Sequence, residues 1–215
     1  LPMRHPILLS CLLLFPASVV HAGTWYVSPD GDNTASGTSM DTAFQTISRG
    51  VEAIEGPGDT LIVGPGVYRE EVFIEKSGTP DNPITIKAQV PGRTELVGSV
   101  RLTEWTPVEG REQVFAADLD QPCHLAYEKD TGTEYTEVAN LRLCEETAGT
   151  FCTDPDAGLI YVHPTDDSGM DHHIVDACVL DYGIVSLATD DPWRHEPRSV
   201  GIVIEGFVVR DFNTY

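Results

Sequence analysis

The densest run of chemically active side chains is Asp190-Asp191, followed by Trp193, Arg194, His195 and Glu196. Two carboxyl groups working as acid and base, beside a ring on which a sugar can stack, are the parts that glycosidic-bond hydrolysis uses. The usual carboxyl separation is about 5–10 Å, and adjacent residues rarely converge on one sugar. A solvated loop between Leu187 and Val200 is therefore the expectation. Asp171-His172-His173 with Asp176 offers nitrogen and oxygen donors for a metal. Neighbouring side chains on a strand point to opposite faces, however, so a surface turn is the simpler reading. Asp30, Asp32 and Asn33 carry hard oxygen ligands of the kind Ca2+ takes. They lack the rest of a calcium loop, and an ordinary Asp-Gly turn is expected. No cofactor is assigned, Ca2+ being the one these residues leave open, and neither a catalytic residue nor a metal ligand is assigned.

Elimination chemistry on a uronate needs a base and a cation to neutralise the acid group. The chain has 13 Lys and Arg against 34 Asp and Glu, a net charge of −21. Its first residues hold Arg4, an apolar run from Ile7 to Phe15, a break at Pro16 and the small-residue pattern Val20-His21-Ala22. That run is too short to span a bilayer, and residues 1–22 read as a secretion signal that is removed. Leu8-Leu9-Ser10-Cys11 also looks like a lipoprotein box, but the apolar stretch continues past the cysteine. Removing residues 1–22 takes away one base and no acid, leaving −22. This excludes nucleic-acid and anionic-membrane partners, and it disfavours a polyuronate unless calcium or a basic groove intervenes.

Four cysteines remain: Cys123, Cys144, Cys152 and Cys178. An exported chain meets an oxidising compartment, so two disulfides are expected in one of three pairings, with a local Cys144–Cys152 bridge first. Buried free thiols are the alternative.

The positioning elements can be read along the chain. Trp25-Tyr26-Val27 predicts a strand, and a glycine-, serine- and aspartate-rich turn follows. Thr42 and Gln45 form a capping-box pattern, and Phe44, Ile47, Val51 and Ile54 share a helical stripe that Gly56-Pro57 ends. Beyond it, Leu61-Ile62-Val63, Val72-Phe73-Ile74, Ile84-Thr85-Ile86 and Leu96 recur at intervals of about 12 residues. A repeat of two such steps suits a solenoid, although an antiparallel sandwich spaces its strands similarly. The amphipathic helix just before the first coil favours the solenoid, whose open apolar end needs a cap.

The blocks Trp25-Tyr26-Val27-Ser28-Pro29-Asp30-Gly31, Ala43-Phe44-Gln45-Thr46-Ile47, Pro57-Gly58-Asp59-Thr60, Gly66-Val67-Tyr68-Arg69-Glu70 and Ser77-Gly78-Thr79 with Pro83-Ile84-Thr85-Ile86 together resemble the start of exported right-handed parallel β-helix proteins of the pectate-lyase-like superfamily. The resemblance covers about residues 24–100. It implies an all-β, right-handed parallel β-helix with an N-terminal capping helix, and it does not choose among lyases, hydrolases, epimerases and non-catalytic surface proteins. Residues 99–180 depart from the repeat, and Trp105-Thr106-Pro107, Val114-Phe115-Ala116, Gly149–Asp154 and Leu159–Pro164 suggest short strands and a hairpin without steady coil spacing. They read as an inserted β-rich module, similar to inserts that wall substrate grooves in carbohydrate-active β-helix proteins.

The repeat resumes from Ser199 to Arg210 and the chain stops at Tyr215. The expected organisation is a signal over 1–22, cap and first coils over 23–98, the module over 99–180 and a resumed coil over 181–215. A solenoid needs about three or more repeats and an end cap, so this is expected to be the N-terminal portion of a longer protein; the resemblance implies catalytic groups on central coils, beyond Tyr215. The function that follows is a secreted (extracellular or periplasmic), monomeric polysaccharide-degrading enzyme, a glycoside hydrolase or polysaccharide lyase acting on a polysaccharide or oligosaccharide. The alternative is a non-catalytic glycan-binding or adhesive β-helix protein.

Overall fold

The computed structural model describes residues 22–166, 168–186 and 201–213. All but the last residue of the expected signal, and the whole Asp190–Glu196 run, lie outside them. The described chain is mostly β.

Strand β1 (Thr24–Val27) is followed by helix α1 (Ile47–Ala53) and then by β2 (Thr60–Val63), β3 (Gly66–Tyr68), β4 (Val72–Ile74), β5 (Ile84–Ala88) and β6 (Thr94–Val97). The strand positions follow the β-branched bursts because alternate residues face one side. On β5, Ile84, Ile86 and Ala88 are buried while Thr85 and Lys87 are only half-buried. Fully burying an isoleucine such as Ile84 or Ile86 stabilises the fold by about 1.5–3 kcal/mol. The core they enter also holds Val27, Phe44, Ile47, Ile54, Leu61, Val72 and Leu96.

The helix begins later than the Thr42–Gln45 pattern indicates. Met40–Thr42 form a single 3-10 turn, Phe44 is extended and bridges to Val27, and the helix is capped by Thr46, whose side chain accepts from Arg49 N. The cause is non-local. Asn33 Oδ1 takes the backbone N–H groups of Gln45 (2.9 Å) and Thr46 (3.0 Å), and the Glu70 carboxylate takes those of Ile47 (2.7 Å) and Ser48 (2.9 Å). Donors that a helix start leaves open are thus satisfied from across the fold. Helix α1 packs on β1, β2 and β4. Its Gly50 permits this closeness, since a Cβ there would lie 2.6 Å from Leu61 and 2.7 Å from Val27.

From residue 99 the pairing turns antiparallel. The strands are β7 (Ser99–Leu102), β8 (Thr106–Pro107), β9 (Phe115–Asp118), β10 (Leu125–Glu128), β11 (Thr133–Glu134) and β12 (Thr136–Glu137). Helix α2 (Leu141–Glu146), β13 (Thr150–Asp154), β14 (Leu159–His163) and β15 (Val175–Cys178) complete this region. One sheet runs β11-β10-β15-β7 and the other β12-β13-β14-β9-β8, in which only the β12–β13 pair is parallel. Strands β13 and β14 form an antiparallel hairpin. A separate core forms here around Leu102, Ala126, Phe151, Ile160, Val162 and Val175.

The last strands, β16 (Ile184–Ser186), β17 (Ile202–Glu205) and β18 (Phe207–Arg210), return to parallel pairing with the early part of the chain. The ladders are β1-β2-β5-β17, β3-β6-β18 and β4-β16, all parallel. Thr60 pairs with Thr85, 25 residues on, whereas Ile84 pairs with Ile202 across the antiparallel region. Among the described residues no helix is long and apolar enough to cross a membrane.

Candidate functional site

Among the described residues, the antiparallel region holds Glu128, His173 and Asp176 buried. Strand β10 turns Ala126 and Glu128 inward, and Glu128 has no accessible surface. A chain reversal brings Thr131 Oγ1 to Glu128 Oε1 (2.9 Å) and the Tyr135 hydroxyl to Oε2. The segment after β14 supplies Thr165, whose Oγ1 donates to Oε1 (2.5 Å) and whose N–H donates to Oε2 (3.2 Å). Burial opposes ionisation of Glu128, but the hydrogen bonds from Thr165, Tyr135 and Thr131 outweigh it and hold its carboxyl below the ordinary range.

Strand β15 pairs with β10 so that Val175 faces Glu128, which places His173 beside that carboxylate. His173 Nδ1 lies 3.1 Å from Asp130 Oδ2 and 3.4 Å from Glu128 Oε1, while Nε2 lies 3.1 Å from Asp166 Oδ1 and 3.0 Å from Ser168 Oγ. With carboxylates at both ring nitrogens, the doubly protonated imidazolium is the matching state. Burial alone would lower the His173 pKa, but Glu128, Asp166 and Asp130 raise it above its ordinary value. Asp130 is lowered, its burial outweighed by hydrogen bonds that include Ile174 N–H and His173. Asp166 is lowered chiefly by Ser168.

The ligand atoms of Glu128, Asp130 and His173 all lie within 4.8 Å of one another, a spacing that a metal ion could bridge. The donor chemistry points elsewhere. Four protein donors already occupy the Glu128 oxygens, and a metal would need an imidazole nitrogen without its proton. The cluster is built to hold a proton between carboxylates.

The other sequence candidates separate. Of Asp171-His172-His173 and Asp176, the first two are exposed, His173 joins the cluster just described, and Asp176 is fully buried on β15. Asp176 faces its register partner Arg101 on β7, accepting from Nε at 2.9 Å and Nη2 at 3.2 Å. Asp32 accepts from the N–H (2.8 Å) and Oγ1 (2.7 Å) of Thr34, which lowers its pKa. Asn33 is committed to Gln45 and Thr46. Glu128, Asp130 and Asp166 were not legible as site residues, because nothing local ties them to a histidine up to 45 positions away.

The expected disulfides are a correction: Cys123, Cys144, Cys152 and Cys178 are all free and buried. Cys144 and Cys152 share a small core with Val114, where the neighbouring Cys144 and burial raise the pKa of Cys152. Burial pushes Cys123 up to about 11 and Cys178 up to about 12, which keeps both as poorly reactive thiols.

Beside the charge cluster lies a cavity of about 450 Å³, lined by Leu102, Trp105, Phe115, Met170, Asp171 and His173 among others. Its size falls within the range of small-molecule pockets, about 300–1,000 Å³, and its lining mixes aromatic walls with a few polar groups. The Trp105 Nε1 atom is shielded from solvent and has no acceptor among the described residues. A donor left so costs about 1–3 kcal/mol. Asp171 adds an exposed acceptor, and the arrangement suits a polyhydroxylated ring with one apolar face.

No protein-family model matches the chain. It is 24% identical over 150 residues to alpha-1,3-galactosidase A of Akkermansia muciniphila, a match covering 66% of this chain and 25% of that protein. Among solved structures it is similar to XylC in complex with xylose (TM-score 0.69, 19% identity), over 89% of this chain and 36% of that one. It is also similar to a structure described as a glycoside hydrolase (TM-score 0.61, 13% identity), over 89% and 51%. The chain therefore spans about a quarter of the curated relative and from about a third to a half of the solved structures. At these identities the structural likeness is one of fold.

Proposed function

We propose that this chain is the N-terminal part of a secreted carbohydrate-active enzyme, and that its reaction is glycoside hydrolysis. The carrying observation is the 150-residue similarity to a protein named as an alpha-1,3-galactosidase. The fold likeness to a xylose complex and to a glycoside hydrolase supports it. In this reading the three parallel ladders are faces of a right-handed β-helix, α1 caps its first coil, and residues 99–180 are an inserted module. Apolar side chains left exposed on the last strands, Ile204 at 43% and Val209 at 50%, suit a further layer of strands stacked on them. The Val20-His21-Ala22 pattern supports export.

Hydrolysis of a neutral glycan is favoured over elimination because a chain with 34 acids and 13 bases repels polyuronates. A glycan-binding protein without chemistry is the second reading. It is favoured by the saturation of the Glu128–His173 cluster, which leaves that acid and that base engaged with each other. Incubating the full-length protein with galactosides, xylosides and polyuronates tests both readings. New reducing ends without absorbance from unsaturated products support the hydrolase, both signals together indicate a lyase, and neither leaves the binder.

A further inference from the structure

We propose that the cavity between β7, β8, β9 and the turn before β15 is a binding pocket for a neutral pyranose, in which Trp105 supplies the stacking face and Asp171 accepts sugar hydroxyls. The inference rests on the carbohydrate reading above and adds a place and a class of ligand to it.

Three observations converge on this pocket. Trp105 and Phe115 both line it, and both are only partly buried against the module's core. A pyranose has C–H groups clustered on its faces, and the flat apolar ring of a tryptophan matches such a face while its N–H serves as a polar handle. The second observation is that Nε1–H of Trp105 has no acceptor among the described residues. That atom is shielded here, so it would meet a ligand hydroxyl only once the indole turns toward the cavity. Third, the polar part of the wall holds Asp171 with Thr103 and His173, and the exposed Asp171 carboxylate is a two-oxygen acceptor for vicinal hydroxyls.

Charge sets the class. Among the described residues that line the pocket, the one able to carry positive charge is His173, and Glu128, Asp130 and Asp166 enclose it, so its charge is matched before a ligand arrives. Asp171 then leaves the opening negative, which admits neutral sugars and disfavours uronates. His173 stiffens the floor and is a positioning residue in this scheme.

The test is titration of the full chain with D-xylose, D-galactose and D-galacturonate, followed by tryptophan fluorescence and by the indole N–H resonances in NMR. Either neutral sugar is expected to shift the Trp105 signal, with Trp105→Ala weakening binding by about tenfold or more and Asp171→Asn by about threefold to tenfold. Galacturonate is expected to bind more weakly than both. Far-UV circular dichroism checks the fold of each variant, and Asp171→Asn, at an exposed position, provides a readout if Trp105→Ala unfolds. Absence of neutral-sugar binding, affinity unchanged by Asp171→Asn, or tighter binding of galacturonate overturns the proposal. Hydrolysis of galactosides and xylosides is measured separately, so an active enzyme with an empty module pocket is distinguished from a pocket that binds in a protein without hydrolase activity.

Discussion

Glu128, with no accessible surface, places Oε1 at 3.4 Å from His173 Nδ1, and the two groups move in opposite directions from their ordinary pKa values. The sign of each shift fixes a pH window. His173 is raised above 6.5, so its contribution to stability is complete below that value and is lost as pH rises through the folded-state pKa. Glu128 is lowered below 4.5, so its contribution is complete above that value and is lost as pH falls through the folded-state pKa. Asp130 behaves as Glu128 does, from an ordinary value of 3.8. Stability is expected to plateau between about pH 4.5 and 6.5 and to fall on both sides. Urea midpoints measured across pH for the wild type and His173→Gln check this. An alkaline limb equally steep in the variant would remove His173 as its cause.

Removing one partner from this cluster leaves the others buried and unmatched. Glu128→Gln keeps the shape but deletes the charge, and is expected to cost about 3 kcal/mol or more. Tyr135→Phe deletes one of four donors to the same carboxylate and is expected to cost about 1.5–3 kcal/mol. Glu128→Gln combined with His173→Gln should cost less than the two singles summed, because the residues are in contact. Chemical denaturation of the four proteins gives the coupling, and strict additivity would show that the pair does not act as a unit.

How much of this was readable beforehand depends on whether the cause was local. The β-branched bursts became β2, β4 and β5, and the two-step repeat from Leu61 to Thr85 came within one residue of the observed Leu61–Ile86 register. Strand β3 was hidden because it begins at Gly66, inside a Gly-Pro-Gly sequence that reads as a turn. The start of α1 was misplaced because the groups that occupy its free donors, Asn33 and Glu70, lie outside any helical window. The same reasoning covers the site. His173 could be singled out, but its carboxylates come from positions 128, 130 and 166 and meet it only through the β10–β15 pairing.

Asp59 is the hinge pin of the N-terminal region. It is 2% exposed, and its carboxylate accepts from Gly23 N (2.7 Å), Glu55 N (2.7 Å) and Gly56 N (2.9 Å), joining the approach to β1 with the exit from α1. Asp59→Ala strands three backbone donors in a poorly solvated place and is expected to cost about 3 kcal/mol or more. Amide exchange at Gly56 should accelerate more than at Ile86 in the β5 ladder, which has its own strand partners. Uniform acceleration at both amides would mean that Asp59 supports the whole fold and not this junction.

Gly201 is where the chain re-enters the parallel ladder beside Ile84. Its φ is +71°, and a Cβ there would lie 2.4 Å from the carbonyl oxygen of Thr79, while its own carbonyl accepts from Ile84 N at 2.8 Å. Left-handed backbone costs a non-glycine residue about 1–2 kcal/mol before any clash. The clash adds to this because the obstacle is backbone, which cannot swing aside as a flexible side chain would. Gly201→Ala is therefore expected to destabilise by more than about 2 kcal/mol. Gly92→Ala serves as the control, with φ of +75° and nothing within 4 Å of its Cβ, so it bears the conformational cost alone. Equal losses in the two variants, measured by thermal melting, would show that β17 does not depend on the close approach of residue 201 to Thr79.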